Sequence, residues 1–249
     1  MQTQIRPNTN ILIQYPSDGG LYRKYVKRPM DFILSLCAII VLSPVLLIVA
    51  VLVRIKLGSP VIFKQKRPGI NEKIFILYKF RTMTDEQNEN GELLPDEIRL
   101  TKFGKFLRST SIDELPELFN ILKGEMAVVG PRPQLIRDMV FMTPEQRRRH
   151  TVLPGLSGLA QVNGRNCILW ESKLEYDLKY INNITFMADV KIILQTLINV
   201  FKQDGISSEG RATAEDFGEY LLRTGKIDKD IYRAGMEEDR RISLINIAK

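Results

Sequence analysis

The stretch that decides the fold is FILSLCAIIVLSPVLLIVAVLV, Phe32 to Val53, twenty-two consecutive residues without a charge. As one helix it would extend about 33 Å, enough to cross a hydrocarbon core. Two features argue against a simple span. Pro44 lacks an amide hydrogen and its ring opposes the carbonyl of Ile40, which costs about 3 kcal/mol in a straight helix. Ser43 beside it can satisfy a freed carbonyl and so favour a stable bend. Basic residues also flank both ends: Arg23, Lys24, Lys27 and Arg28 before, Arg54, Lys56, Lys64, Lys66 and Arg67 after. Both flanks therefore favour the cytoplasmic face. The pattern predicts a re-entrant helix–break–helix over residues 27–57, bent at Ser43–Pro44, with Asp31 near Lys27 and Arg28 at its base.

The remainder has the composition of a soluble protein. The hydrophobic fraction is 44%, too low for a polytopic transporter, and 249 residues leave ample chain for one well-packed core. Lys and Arg number 36 against 29 Asp and Glu, a net charge of +7 that suits an anionic membrane surface or phosphorylated substrates. A nucleic-acid partner would also suit the charge. It would need basic and aromatic residues gathered on one face, and here they are dispersed. Two cysteines, one inside the apolar run, exclude a disulfide framework, and a single histidine, His150, excludes a His-rich metal site. Acid–base or nucleophilic work falls to carboxylates, Lys, Tyr or Ser.

The predicted architecture is α+β and predominantly helical: a loose N-terminal extension over 1–26, the membrane element, one catalytic domain over 58–204, and a charged tail over 205–249. Val61–Gln65 and Lys73–Phe80 read as a small hairpin around the RPGIN turn. Helices are expected at Lys102–Arg108, Ile112–Leu122, Gln134–Met142, Pro144–His150, Ser172–Ile181 and Ala188–Gln203. The tail should hold one more, Ala214–Arg223. The apolar stripe of the 188–203 helix suits either a core face or the membrane surface.

The sharpest local feature is STSIDELPELFNILKG. Its ordinary reading is a capping box, Ser111 with Glu114 three residues on. Its chemical reading is an aspartate, Asp113, kept ionised by a helix start and poised to attack phosphorus, with Glu114 managing a cation or a proton. Phosphoryl transfer also needs fixed cations around the spreading negative charge. Arg132 lies between two prolines in GPRP, and Lys79, Arg81, Arg108 and Arg165 are further candidates. Singly, each has the ordinary reading of a surface ion-pair residue. Neither a P-loop, a dinucleotide fingerprint nor a G-x-S-x-G elbow is present.

Taken in order, KRPMDF leading into the apolar run broken at SP, then KRPGINEKIFILYKFRTM, DELPELFNILKGEMAVVGPRP, PGLSGLAQVNGR and YDLKYINNITFMADVKIILQT, resemble the bacterial monotopic phosphoglycosyl transferases, from about Lys27 to Phe201. The resemblance implies transfer of a sugar 1-phosphate from a UDP-sugar to polyprenyl (undecaprenyl) phosphate, with Mg2+ required and UMP released. It implies a covalent phosphosugar intermediate on Asp113, with Glu114 completing the dyad and the metal site. Arg132, Lys79, Arg81, Arg108 and Arg165 would bind phosphate, and Asp177 and Asp189 match a further motif assigned to the substrate site. The implied location is the bacterial plasma membrane, with the domain on the cytoplasmic face. Ala127 and Ala160 depart from the Ser and Trp common in the family. The sugar, the pathway and the oligomeric state, a homo-oligomer included, stay open. A non-catalytic anchored protein that binds a phosphorylated ligand would share the anchor and basic flanks, but Asp113→Asn would then alter only affinity or stability.

Overall fold

The structure, a computed structural model, describes residues 20–164, 168–202 and 215–245. A five-residue π-helical turn, Tyr22–Val26, runs directly into helix α1, Lys27–Leu57. The helical segment Tyr22–Leu57 is long and apolar enough to cross a membrane. The extension expected over 1–26 is therefore already helical by Tyr22; residues 1–19 lie outside the described residues. At Ser43–Pro44 the helix does not stop: α1 runs on through Pro44, so a change of direction there is a bend within one helix rather than a break. The reason is local: Ser43 Oγ donates to Ile40 O at 2.8 Å, the very carbonyl that proline leaves without a partner.

Two antiparallel strands follow, β1 (Ile62–Pro68) and β2 (Ile74–Phe80), in register from Ile62 opposite Phe80 to Pro68 opposite Ile74. The acidic loop leads to the single turn α2 (Asp96–Arg99) and then α3 (Lys102–Ser109), whose first turn Thr101 caps by accepting from Gly104 N at 3.1 Å. The helix expected over Ile112–Leu122 is divided. A 3-10 turn spans Ile112–Glu114, and α4 starts only at Glu117, after Pro116, ending at Lys123 before Gly124 (φ +84°).

Strand β3 (Ala127–Val129) pairs in parallel with β4 (Gly155–Ser157), and between them lie α5 (Ile136–Met139) and α6 (Pro144–Arg147). The glycines of VVGPRP and PGLSG have a steric purpose here. A Cβ on Gly155 would sit 2.0 Å from Gly130 N, and one on Gly158 2.2 Å from Gly130 O, so the two backbones meet with no room for side chains. Helices α7 (Leu159–Val162), α8 (Trp170–Asn182) and α9 (Phe186–Lys202) complete this part of the fold.

The C-terminal segment is not a tail. It forms α10 (Phe217–Arg223) and α11 (Lys229–Ile245), and Phe217, Tyr220, Leu221 and Ile227 share a buried cluster with Phe141, Met142, Trp170 and Leu174.

Helix α1 is part of the domain as well as its anchor. A stripe of Asp31, Ser35, Ile39, Leu42, Leu46, Val49, Val53 and Leu57 recurs every three or four residues, one face of a helix. Ala38, Ile39 and Leu42 pack against Phe75, Leu118 and Ile121, while Val49, Val53 and Leu57 pack with Phe80 and Leu107. The opposite face is apolar and bare, with Val41 73% and Ile55 74% exposed.

Candidate active site

The dyad sits where α3 gives way to α4. Ser111 there is left-handed (φ +55°) and its side chain caps nothing, so the expected capping box does not form. Glu114 turns away from the backbone to the cations. Its Oε1 accepts from Lys79 Nζ on β2 and from Arg132 Nη2, both at 2.7 Å. Lys79 also lies 3.2 Å from Glu117 Oε1. Burial opposes the Glu114 charge, but Arg132 and Lys79 outweigh it and hold this carboxyl well below the usual carboxylate range. Glu117 goes the other way: burial pushes it up to about 7, against the pull of Lys79.

Asp113 is different from both. It is 8% exposed, yet among the described residues no hydrogen bond or ion pair engages its carboxylate. The expected helix start is a three-residue 3-10 turn, Ile112–Glu114, rather than the first turn of a long helix. Burial first, then the Glu114 charge, push Asp113 up to about 6, while Lys79, Arg108 and Arg132 pull the other way. The result is a carboxylate ringed by positive charge and bonded to none of it.

The loop carrying Arg132 is fixed through its backbone. Arg149 Nη2 donates to Arg132 O at 2.5 Å, Arg67 Nη1 to Pro133 O at 3.2 Å, and Leu135 N donates to Asp138 Oδ2 at 2.9 Å. The Arg132 side chain remains 37% exposed, so its guanidinium can meet a ligand from solution.

The structure thus brings together Asp113, Glu114, Lys79, Arg108 and Arg132, with Arg108 also donating to Thr82 Oγ1 at 3.0 Å. Three expected substrate-binding residues are occupied elsewhere. Arg81 donates to Met83 O and Ser59 O and pairs with Asp85, bracing the chain between α1 and β2. Asp177, 2% exposed, holds Arg149 at 2.7 and 2.9 Å and reaches the site only through that arginine. Asp189, fully buried, accepts from Lys27 Nζ (2.5 Å), Tyr22 Oη (2.7 Å) and Tyr180 Oη (2.8 Å), fastening the base of α1. Arg165 lies outside the described residues. Sequence reasoning missed Glu117, Arg149 and Arg67. Glu117, three residues after Glu114 in DELPE, carried a spacing signal; Arg149, inside RRRH, carried none.

No group of three or more His, Cys, Asp or Glu suited to holding a metal occurs among the described residues. The hard oxygens of an Asp–Glu pair still fit a magnesium ion, which completes its shell with water and substrate phosphate.

Residues 22–203 match the bacterial sugar transferase family. The chain is 49% identical over 192 residues to the uncharacterized sugar transferase EpsL of Bacillus subtilis, covering 77% of this chain and 95% of that one. It is 42% identical over 185 residues to the UDP-glucose:undecaprenyl-phosphate glucose-1-phosphate transferase of Klebsiella pneumoniae. It is 37% identical over 181 residues to the UDP-N-acetylgalactosamine-undecaprenyl-phosphate N-acetylgalactosaminephosphotransferase of Aeromonas hydrophila. These matches cover 70% of this chain each, and the chain spans only 40% and 43% of those two relatives. The matched region contains the dyad, the Arg132 loop and the base of α1, and the chain belongs to the bacterial sugar transferase family, whose members are enzymes rather than binding modules.

Proposed function

We propose that this protein transfers a sugar 1-phosphate from a UDP-sugar to a polyprenyl phosphate, through a phosphosugar ester of Asp113. The observation that carries the proposal is the buried, unengaged Asp113 carboxylate beside a Glu114 whose Oε1 takes both Lys79 and Arg132. A nucleophile must keep a lone pair free, and here one of two adjacent carboxylates takes the cations while the other is spared.

An Asp113 oxygen attacks the phosphorus next to the sugar, and the bond from that phosphorus to the bridging oxygen breaks. UMP leaves with that oxygen. A phosphate oxygen of the polyprenyl phosphate then attacks the same phosphorus, forming the lipid diphosphate sugar and returning the electron pair to Asp113. Arg132 and Arg108 meet the negative charge that spreads over the transferring group, and Lys79 keeps Glu114 in place. A magnesium ion held by Asp113 and Glu114 would offset the repulsion between carboxylate and diphosphate. One site can serve a water-soluble and a lipid substrate in turn because they never need to be bound together.

The same reading places the site at headgroup level on the cytoplasmic face. Both ends of α1 dock on one domain, Arg28 and Asp31 at its start and Val53 and Leu57 at its end, which supports a helix that dips into the leaflet and returns. A helix spanning the membrane would send its two ends to opposite sides.

The test is UMP release from a panel of UDP-sugars by the full chain in lipid, with and without polyprenyl phosphate, and with magnesium or chelator. Release by donor alone, stoichiometric with a phosphosugar adduct on Asp113, is the expected result. Turnover undiminished in Asp113→Asn would overturn the covalent route.

A further inference from the structure

The family match ends at residue 203, yet α10 and α11 are built into the core. The question is what this addition does for the matched domain. Its contacts fall on two helices, α5 and α8, the first of which directly follows the Arg132 loop. On α5, which follows the Arg132 loop, Asp138 uses both carboxylate oxygens: Oδ2 accepts from Leu135 N and Oδ1 from Phe217 N, each at 2.9 Å. Arg137 pairs with Asp216 at 2.9 Å. On α8, Trp170 Nε1 donates to Glu215 O at 3.0 Å, and Glu171 accepts from Tyr220 Oη at 2.7 Å.

The addition is seated by shape as well as by charge. Phe141, just beyond α5, projects between α10 and α11, its ring 5.7 Å from that of Tyr232 and nearly parallel to it. A Cβ on Gly218 or on Gly235 would fall 2.4 Å from that ring. Only glycines leave the socket open. At its far end α11 is tied to the hairpin, where Lys66 Nζ donates to Ser243 O at 2.9 Å.

We infer that α10 and α11 form a clasp that sets the position of Arg132, with Asp138 as the positioning residue that couples the Arg132 loop to the start of α10. The inference rests on the reading of Arg132 as a ligand of the donor diphosphate. Asp138 touches no substrate. It holds the end of a loop whose other anchor points are Arg149 and Arg67, and the clasp holds Asp138.

Two variants test this in the full chain. Gly235→Ala intrudes on the Phe141 socket while favouring helix formation in α11. Asp216→Asn loosens the clasp from Arg137 without disturbing the core. For each, UDP binding with magnesium and steady-state constants for donor and for polyprenyl phosphate are measured, alone and combined with Arg132→Ala. The expected result is a loss of about 10-fold in UDP affinity and in kcat/KM for the donor, and no further loss in the Arg132→Ala background, because coupled residues are not additive. Unchanged donor constants in both variants, or losses that simply add to that of Arg132→Ala, would overturn the clasp. Failure of the wild-type protein to release UMP from any UDP-sugar would instead sink the functional reading, while UDP titration would still report on the clasp.

Discussion

Asp113 carries a charge that the fold does little to stabilise. Its folded pKa of about 6 lies above the ordinary value of 3.8, so its contribution to stability is fully present below pH 3.8 and is lost as pH rises through 6. Asp113→Asn should therefore unfold at higher denaturant than wild type at pH 8, by about 1 to 3 kcal/mol, with the gap closing toward pH 4. The same variant should lose about 10⁴-fold or more in UMP release, as enzymes stripped of their nucleophile do. Stability and activity thus move in opposite directions in one substitution, and denaturant titration beside a UMP assay reads both. Wild-type UMP release should fall as pH drops through about 6, where the carboxylate gains its proton. A bound divalent cation favours the charged form, so raising magnesium should move that limb to lower pH. Arg132 and the dyad were legible in the sequence because prolines and adjacent carboxylates mark them. The roles of Arg81, Asp177 and Asp189 were not, because what occupies them is tertiary: Asp177 meets Arg149 28 residues away, and Asp189 meets Lys27 162 residues away. A motif shows that a carboxylate is present. It does not show which cation reaches it first.

Among the elements, α4 links the anchor to the chemistry. Arg28 at the base of α1 donates to Ile121 O at 2.7 Å and Leu122 O at 3.2 Å, closing the carboxyl end of the helix that begins just after the dyad. Within α4, Asn120 is fully buried and acts as an extra strand beside β2: Tyr78 N donates to its Oδ1 at 3.1 Å, and its Nδ2 donates to Ile76 O at 2.7 Å. Asn120→Ala would strand those backbone groups and should cost about 2 kcal/mol in unfolding free energy, measured by denaturant titration in lipid nanodiscs. If the loss were negligible, water would be replacing the amide and the strand mimicry would be incidental. Ser43→Ala removes a partner of Ile40 O and should lower stability by about 1 to 2 kcal/mol in the same assay. Hairpin and long helices were readable from periodicity and turn residues. The division of the dyad segment was not, because the left-handed Ser111 is imposed by what its neighbours must reach.

At the scale of the molecule, topology is open to direct measurement. With Cys37 and Cys167 replaced by serine, single cysteines at Lys24 and Lys56 should react with an impermeant thiol reagent only in opened cells. Reaction of either in intact cells would refute the dipping helix. Anchor and basic flanks were evident from the sequence, whereas the packed C-terminal helices were not. Their apolar residues are spaced among charges, and their partners, Phe141 and Trp170, belong to a different part of the chain. The long seam of α1 has a practical outcome for anyone handling this enzyme. Trimming it to obtain a freely soluble fragment would uncover Phe75, Leu118, Ile121, Phe80 and Leu107 together, and such a fragment should precipitate. A borrowed anchor from an unrelated protein would restore the address but leave the same hydrophobic wound.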